Sequence, residues 1–233
     1  MDIGPQVQHK VALIENFPLF FGIPRADCLS ILSAAHERKF ERHKTLFAEG
    51  NPIREILLLV SGWVKETQFS QNGCEVILRL NGPSQIMGAL GCNKGDHCST
   101  AQTIQPSSVI VWESSVFEAC LERFPVLRRN ATQILGECMR ELEQRFREVS
   151  TEKVAPRLSR QLVRISNQLK WCGMKDSVAI HLSREELAQL IGTSLFTVSR
   201  LLSKWEALGF VIAQREVVRV RDMAALMQVS EGE

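Results

Sequence analysis

From about residue 40 to residue 112 the chain reads as short apolar runs broken by turn signals: Glu49-Gly50-Asn51-Pro52, Ser61-Gly62, Asn72-Gly73, Asn81-Gly82-Pro83 and Gln105-Pro106. Turn signals about ten residues apart predict many short strands, hence a sandwich or barrel. Asn72-Gly73 is the strongest hairpin signal, because a type I′ turn needs positive φ at both central residues and this pair tolerates it. The alternation around Val76, Leu78 and Leu80 predicts the strand that follows.

After Pro125 the period changes from two to 3.6, and no proline interrupts until Pro156. One long helix is predicted. Within it Leu135, Met139, Leu142, Phe146 and Val149 are spaced four, three, four and three, the seam of a two-stranded coiled coil. Glu137, Arg140, Glu141, Glu143, Arg145 and Arg147 take the other faces. A symmetric dimer is the preferred reading; the alternative is a helix packed on its own domain.

A further helix from Val154 to Leu169 precedes the most specific stretch. Ser183 followed by Glu186 is a capping box, so a helix starts there with Leu187, Leu190 and Ile191 buried, Ala188 allowing close contact and Gly192 turning the chain. Ser194 caps a second helix running to about Ala207. Val198, Leu201, Leu202 and Trp205 face inward on it, while Leu195, Phe196, Ser199 and Arg200 share an outward face near its N-terminus. In that geometry the first turns of a recognition helix meet base edges. Phe210-Val211-Ile212, a turn at Gln214-Arg215 and Val217 to Val220 predict a hairpin, the wing. The fold class is therefore α+β: a β sandwich or barrel within 1–125, a dimerisation helix over 126–151 and a winged helix-turn-helix over 152–233.

Composition narrows the class further. With 233 residues, 45% apolar and 23% charged, the chain is globular rather than disordered. Its longest apolar runs are too short to cross a bilayer and residues 1–10 are too polar for a secretory signal, so no membrane partner and a cytoplasmic location are expected. Lys plus Arg number 16 against 17 acidic residues in 1–149, but 12 against 9 in 150–233, which turns the C-terminal part towards an anionic partner. Seven scattered cysteines fit reduced thiols better than a disulfide framework. G-x-S-x-G, P-loop and H-E-x-x-H signatures are missing, so an enzyme is not expected.

Glu49-Gly50, Ser61-Gly62-Trp63-Val64-Lys65, Gly73 to Leu80, Gly88-Ala89-Leu90-Gly91 and Gly192 to Arg200 occur in an order and spacing that resemble the Crp/Fnr superfamily throughout residues 18–222. The resemblance implies a cyclic-nucleotide-binding-like jelly roll, a helical homodimer seam and two-fold symmetric double-stranded DNA, with RNA polymerase and a small-molecule effector as further partners. It places the effector pocket at Gly88, Ala89, Leu90, Ser99 and Thr100. Cyclic-nucleotide binders of the family carry Glu after the first Gly of the phosphate cassette and Arg ahead of a Ser/Thr-Ala pair; here Ala89 and Ser99 hold those places. A phosphodiester without its Arg loses a charge-assisted bidentate contact, so cyclic AMP is disfavoured.

Arg200 matches the family's arginine and is read as a bidentate guanine contact. Leu195 and Phe196 depart from the family's polar residues; they suit thymine methyls, or packing against the protein in an inactive state, with Ser199 beside them. Ser183, Ser194 and Thr197 are read as phosphate contacts. Cys92, His97 and Cys98 leave metal, haem or thiol sensing open, although three such residues within seven positions fall short of a paired C-x-x-C signature. An iron–sulfur cluster of the Fnr type is disfavoured, because Cys28 is the only cysteine before Cys74. A haem- or thiol-based sensor with DNA-binding output, and a constitutive dimer with a vestigial pocket, remain the alternatives.

Overall fold

The structure is a computed structural model that describes residues 12, 14–88, 95–171 and 179–232, with the side chains of 170 and 171 excepted. By its contacts the chain divides into two units: residues 1–66 with 80–141, and residues 67–79 with 142–233.

Two four-stranded sheets form the jelly roll, whose strands belong to the first unit except for residues 67–69 of β4 and 75–79 of β5. One has the order β1 (His36–Phe40), β8 (Ser107–Glu113), β3 (Glu55–Ser61), β6 (Ile86–Met87); the other has β2 (Thr45–Phe47), β7 (Thr100–Thr103), β4 (Val64–Phe69), β5 (Glu75–Asn81). Side chains alternate between faces along each strand. Leu57, Leu59, Val64, Met87, Ala101, Val109 and Val111 accordingly form one apolar cluster between the sheets. Ile56, Leu58, Ile110 and Trp112 point the other way and meet helices. Those helices are α1 (Arg25–Ser33), α2 (Ser114–Arg123) and the start of α3 (Pro125–Thr151), which contribute Ile31, Leu32, Phe117, Leu127 and Ala131. Trp112 Nε1 donates to the Ile31 carbonyl at 2.9 Å, so this fully buried indole leaves no orphan donor.

The hairpin at Asn72-Gly73 forms, but not as type I′. Gly73 has φ of 74° while Asn72 keeps negative φ; Gly73 N–H donates to Ser70 O at 2.9 Å and Ser70 N–H to Cys74 O at 2.9 Å. This is an ordinary turn followed by a left-handed glycine, the bulged loop in which only one residue must leave the usual region. A strand has period two, so a one-residue difference in a loop exchanges its faces. On β5 the buried residues are Ile77 and Asn81, whereas Val76 is exposed.

The second unit is built on the end of α3 and on α4 (Val154–Trp171). Pro156 stands in the first turn of α4, where its missing N–H costs no helical hydrogen bond. Glu148 on α3 is almost fully buried and accepts from Arg164 at 2.6 Å and Arg160 at 3.2 Å. After β9 (Ala179–Ile180) come α5 (Arg184–Ile191), α6 (Leu195–Ala207), β10 (Val211–Ala213), β11 (Val218–Val220) and α7 (Met223–Glu231). The wing is a three-stranded sheet in the order β10, β11, β9. Sequence periodicity missed β9, which has two residues, and also α1, α2 and α7; Ser159 donates to the Leu226 carbonyl and so ties α7 to α4. In this unit Arg145 donates to the carbonyls of Leu78, Ile77 (3.2 Å) and Leu190 (2.7 Å), and Gln189 to Glu75 (3.1 Å).

Candidate functional site

The helix-turn-helix is set by three local devices. Ser183 accepts from Glu186 N–H at 3.1 Å while the Glu186 carboxylate accepts from Ser183 N–H at 2.9 Å, which satisfies two orphan donors and fixes the start of α5. Gly192 ends α5 with φ of 66°, a left-handed value that favours glycine. Ser194 caps α6 by accepting from Thr197 N–H at 3.3 Å, and its hydroxyl lies 3.0 Å from that of Thr197. Val198, Leu202 and Trp205 are buried, and Leu201 only partly.

The opposite face of α6 is open. Phe196 is 85% exposed, Leu195 and Arg200 are exposed and Ser199 is half-buried. The Arg200 guanidinium makes no hydrogen bond or ion pair with a described residue. Leu195, Phe196, Ser199 and Arg200 thus share one surface at the N-terminal end of α6. Ser194 and Thr197 stand on the first turn, where N–H groups and hydroxyls suit an anion. Ser183 differs: besides the cap, its hydroxyl donates to Glu186 at 3.0 Å.

On α3, Leu135, Met139, Leu142, Phe146 and Val149 are between 50% and 75% exposed. Five apolar side chains at heptad spacing are thus left at least half exposed by the described residues.

In the β-roll, Ala89, Leu90 and Cys92 lie outside the described residues. Gly88 has a structural reason to be glycine: with φ of 86°, a Cβ there would stand 2.6 Å from the Glu55 carbonyl. Thr100 Oγ1 accepts from Glu49 N–H at 3.0 Å and alternates with the inward Ala101, whereas Ser99 is buried. The Ser99 hydroxyl donates to Glu66 at 3.2 Å, and Asn81 Nδ2 donates to the same carboxylate at 2.8 Å. Sequence reasoning missed Glu66 and Asn81 as partners of Ser99; they lie 33 and 18 positions from it in sequence order and meet only when the sheet forms.

His97 is buried and stacks on Phe47, with ring centroids 3.9 Å apart and planes 9° from parallel. Cys98 is exposed instead. Among the described residues no group of three His, Cys, Asp or Glu side chains is arranged to hold a metal. Burial pushes the His97 imidazole below its ordinary pKa, against the opposing carboxylates of Glu66 and Asp96. The folded state then binds fewer protons than the unfolded chain, so stability is complete above about pH 6.5 and falls as pH drops from there towards the depressed folded value. His97→Phe should flatten that part of the profile. Melting temperatures from pH 7.5 to 5.5 should fall further for the parent than for the variant, and equal slopes would exclude a neutral buried imidazole.

Two family models match the chain: the cyclic nucleotide-binding domain over residues 37–124 and the Crp-like helix-turn-helix domain over residues 156–229. The cyclic AMP receptor protein of Thermus thermophilus is 26% identical over 220 residues, covering 94% of this chain and 99% of its own. The CRP-like cAMP-activated global transcriptional regulator of Mycobacterium tuberculosis is 24% identical, covering 89% and 94%. The solved structure of FixK2 from Bradyrhizobium japonicum is similar in fold, with a TM-score of 0.74 at 19% identity, covering 84% of this chain and 96% of that one. Among the described residues no helix is long and apolar enough to cross a membrane.

Proposed function

Because the chain belongs to the Crp/Fnr superfamily and carries its DNA-binding domain, we propose that it is an effector-responsive, sequence-specific regulator of transcription acting as a homodimer in the cytoplasm. Residues 1–125 sense the effector, 126–151 dimerise and 152–233 bind DNA. The observation that carries the DNA-reading part is the open face of α6: an unpaired Arg200 beside exposed Leu195 and Phe196, on a helix fixed by the Ser194 cap. Arg200 reads guanine through O6 and N7, Leu195 and Phe196 meet thymine methyls with Ser199 beside them, and Ser194 and Thr197 hold phosphates. Ser183 sits at the rim as a further phosphate contact, through whatever capacity its capping box leaves. The exposed heptad face of α3 supports the dimer, and RNA polymerase is the partner through which such a regulator acts.

The effector is not a cyclic nucleotide. Ser99 stands where a guanidinium would clamp the phosphate, and its hydroxyl is turned to a carboxylate. Calorimetry with cyclic AMP should therefore detect nothing tighter than about 1 mM, near −4 kcal/mol. Micromolar binding would sink this part of the reading. A non-nucleotide effector that alters packing along the α3 seam needs only modest coupling, since regulators work within about 5- to 150-fold.

Selection of the purified protein against random duplexes at fixed salt tests the whole. Two-fold symmetry predicts a palindrome with half-sites about one helical turn apart. A pool without consensus would overturn the proposal.

A further inference from the structure

We propose that the end of the β-roll interior formed by Glu66, Asn81 and Ser99 is a binding site for a small organic cation, an amidinium or guanidinium group that donates N–H hydrogen bonds to Glu66 and Asn81. The proposal rests on the reading of the β-roll as the effector domain and gives that effector a charge and a shape.

Placement comes first. Glu66 follows the buried Val64 by two positions on β4, and Ser99 precedes the buried Ala101 by two, so both turn between the sheets, on the side of the apolar cluster that holds Val64 and Ala101. Lys65 belongs to the other face of β4 by the same alternation. Asn81 closes β5 and is 0% exposed.

The inventory of donors and acceptors then points one way. The Glu66 carboxylate takes one hydrogen bond on each oxygen, from Asn81 Nδ2 and Ser99 Oγ, and both donors are neutral. Each oxygen retains a lone pair. Asn81 Oδ1 is buried without a partner among the described residues, and its assignment is firm because the carboxylate requires the amide nitrogen on its own side. A buried acceptor without a donor costs free energy that a bound N–H would return. The site therefore offers acceptors and one negative charge, the inverse of what a phosphodiester needs.

Among the described residues no cationic side chain forms an ion pair with Glu66. His97 is near enough for the Glu66 charge to act on it, yet burial disfavours its protonated form. Its ring and that of Phe47 give the surroundings a flat aromatic element, which suits a planar delocalised cation better than a spherical ammonium. A metal ion is disfavoured, since no three metal-type ligands converge among the described residues.

The test uses the full chain without DNA, so that loss of DNA recognition cannot mimic failure here and failure here leaves the DNA-reading proposal intact. Calorimetry compares benzamidinium with benzoate, similar in shape and opposite in charge, at one ionic strength. Benzamidinium should bind saturably with Kd of about 1 mM or tighter, and benzoate should not bind at that strength. Glu66→Gln keeps the shape and removes the charge, and should weaken benzamidinium at least about tenfold. Ser99→Arg places a guanidinium beside Glu66 and should abolish the binding by occupying the site, which keeps a variant test available if Glu66→Gln folds poorly. No saturable heat with benzamidinium, equal affinity for benzoate, or unchanged affinity in a folded Glu66→Gln or Ser99→Arg chain would each overturn the site.

Discussion

Leu142→Asp is expected to convert the protein to a monomer at micromolar concentration. Leu142 is half exposed in the single chain, with Leu135, Met139, Phe146 and Val149 on the same heptad face of α3. In a two-fold seam each side chain at such a position meets its own copy, so one substitution places two carboxylates together in a site built for leucines. Burying an ion without a partner costs several kcal/mol, and two like charges repel in addition. Every 1.4 kcal/mol is tenfold in the dissociation constant, so a loss of roughly 1,000-fold or more follows. Arg140→Asp adds an aspartate two residues away, roughly on the opposite side of the helix, and should leave the dimer intact. Sedimentation velocity distinguishes the two, and a dimeric Leu142→Asp variant would show that the seam lies elsewhere.

That face was legible in sequence because a heptad is a local signal, sustained over four turns of one helix. The helix-turn-helix was legible for a similar reason: Ser183 with Glu186, Gly192 and Ser194 each do their work within four residues of their own position. Short elements without periodicity were not. β9 has two residues and owes its existence to β11 pairing, Val218 with Ile180. α7 carried a readable cap, since Asp222 accepts from Ala225 N–H at 2.9 Å, but its place against α4 is tertiary. The face of β5 depended on one residue in the preceding loop: with Gly73 alone left-handed, Ile77 and Asn81 turn inward. The Glu66, Asn81 and Ser99 cluster was hidden for the same cause, since a strand's pattern does not say which polar residue the closed roll will bury.

The hydrogen bonds of α6 also sharpen what a substitution there should do. Thr197→Ala removes a hydroxyl 3.0 Å from that of Ser194, yet the cap survives because Ser194 accepts from the backbone N–H of residue 197. The helix keeps its start, so the variant reports a lost phosphate contact rather than a frayed helix. Affinity should fall by a similar factor on every sequence, because a phosphate contact carries no direct base information. Arg200→Ala should behave differently. Its guanidinium has no described partner in the protein, so removing it leaves no buried group unpaired and folding should be unaffected. A bidentate guanine contact is worth about 1–3 kcal/mol, and a palindromic site contains two, so the selected duplex should lose about 2–6 kcal/mol, or roughly 30- to 20,000-fold. Non-specific duplex should lose little, and preference should relax at one base position in each half-site. Titrations of both variants at one salt concentration decide the matter, since the electrostatic part of the affinity moves steeply with salt. If Arg200→Ala retains the parent's consensus and affinity, the open face of α6 does not read bases through this residue, and the assignment of the recognition helix falls with it.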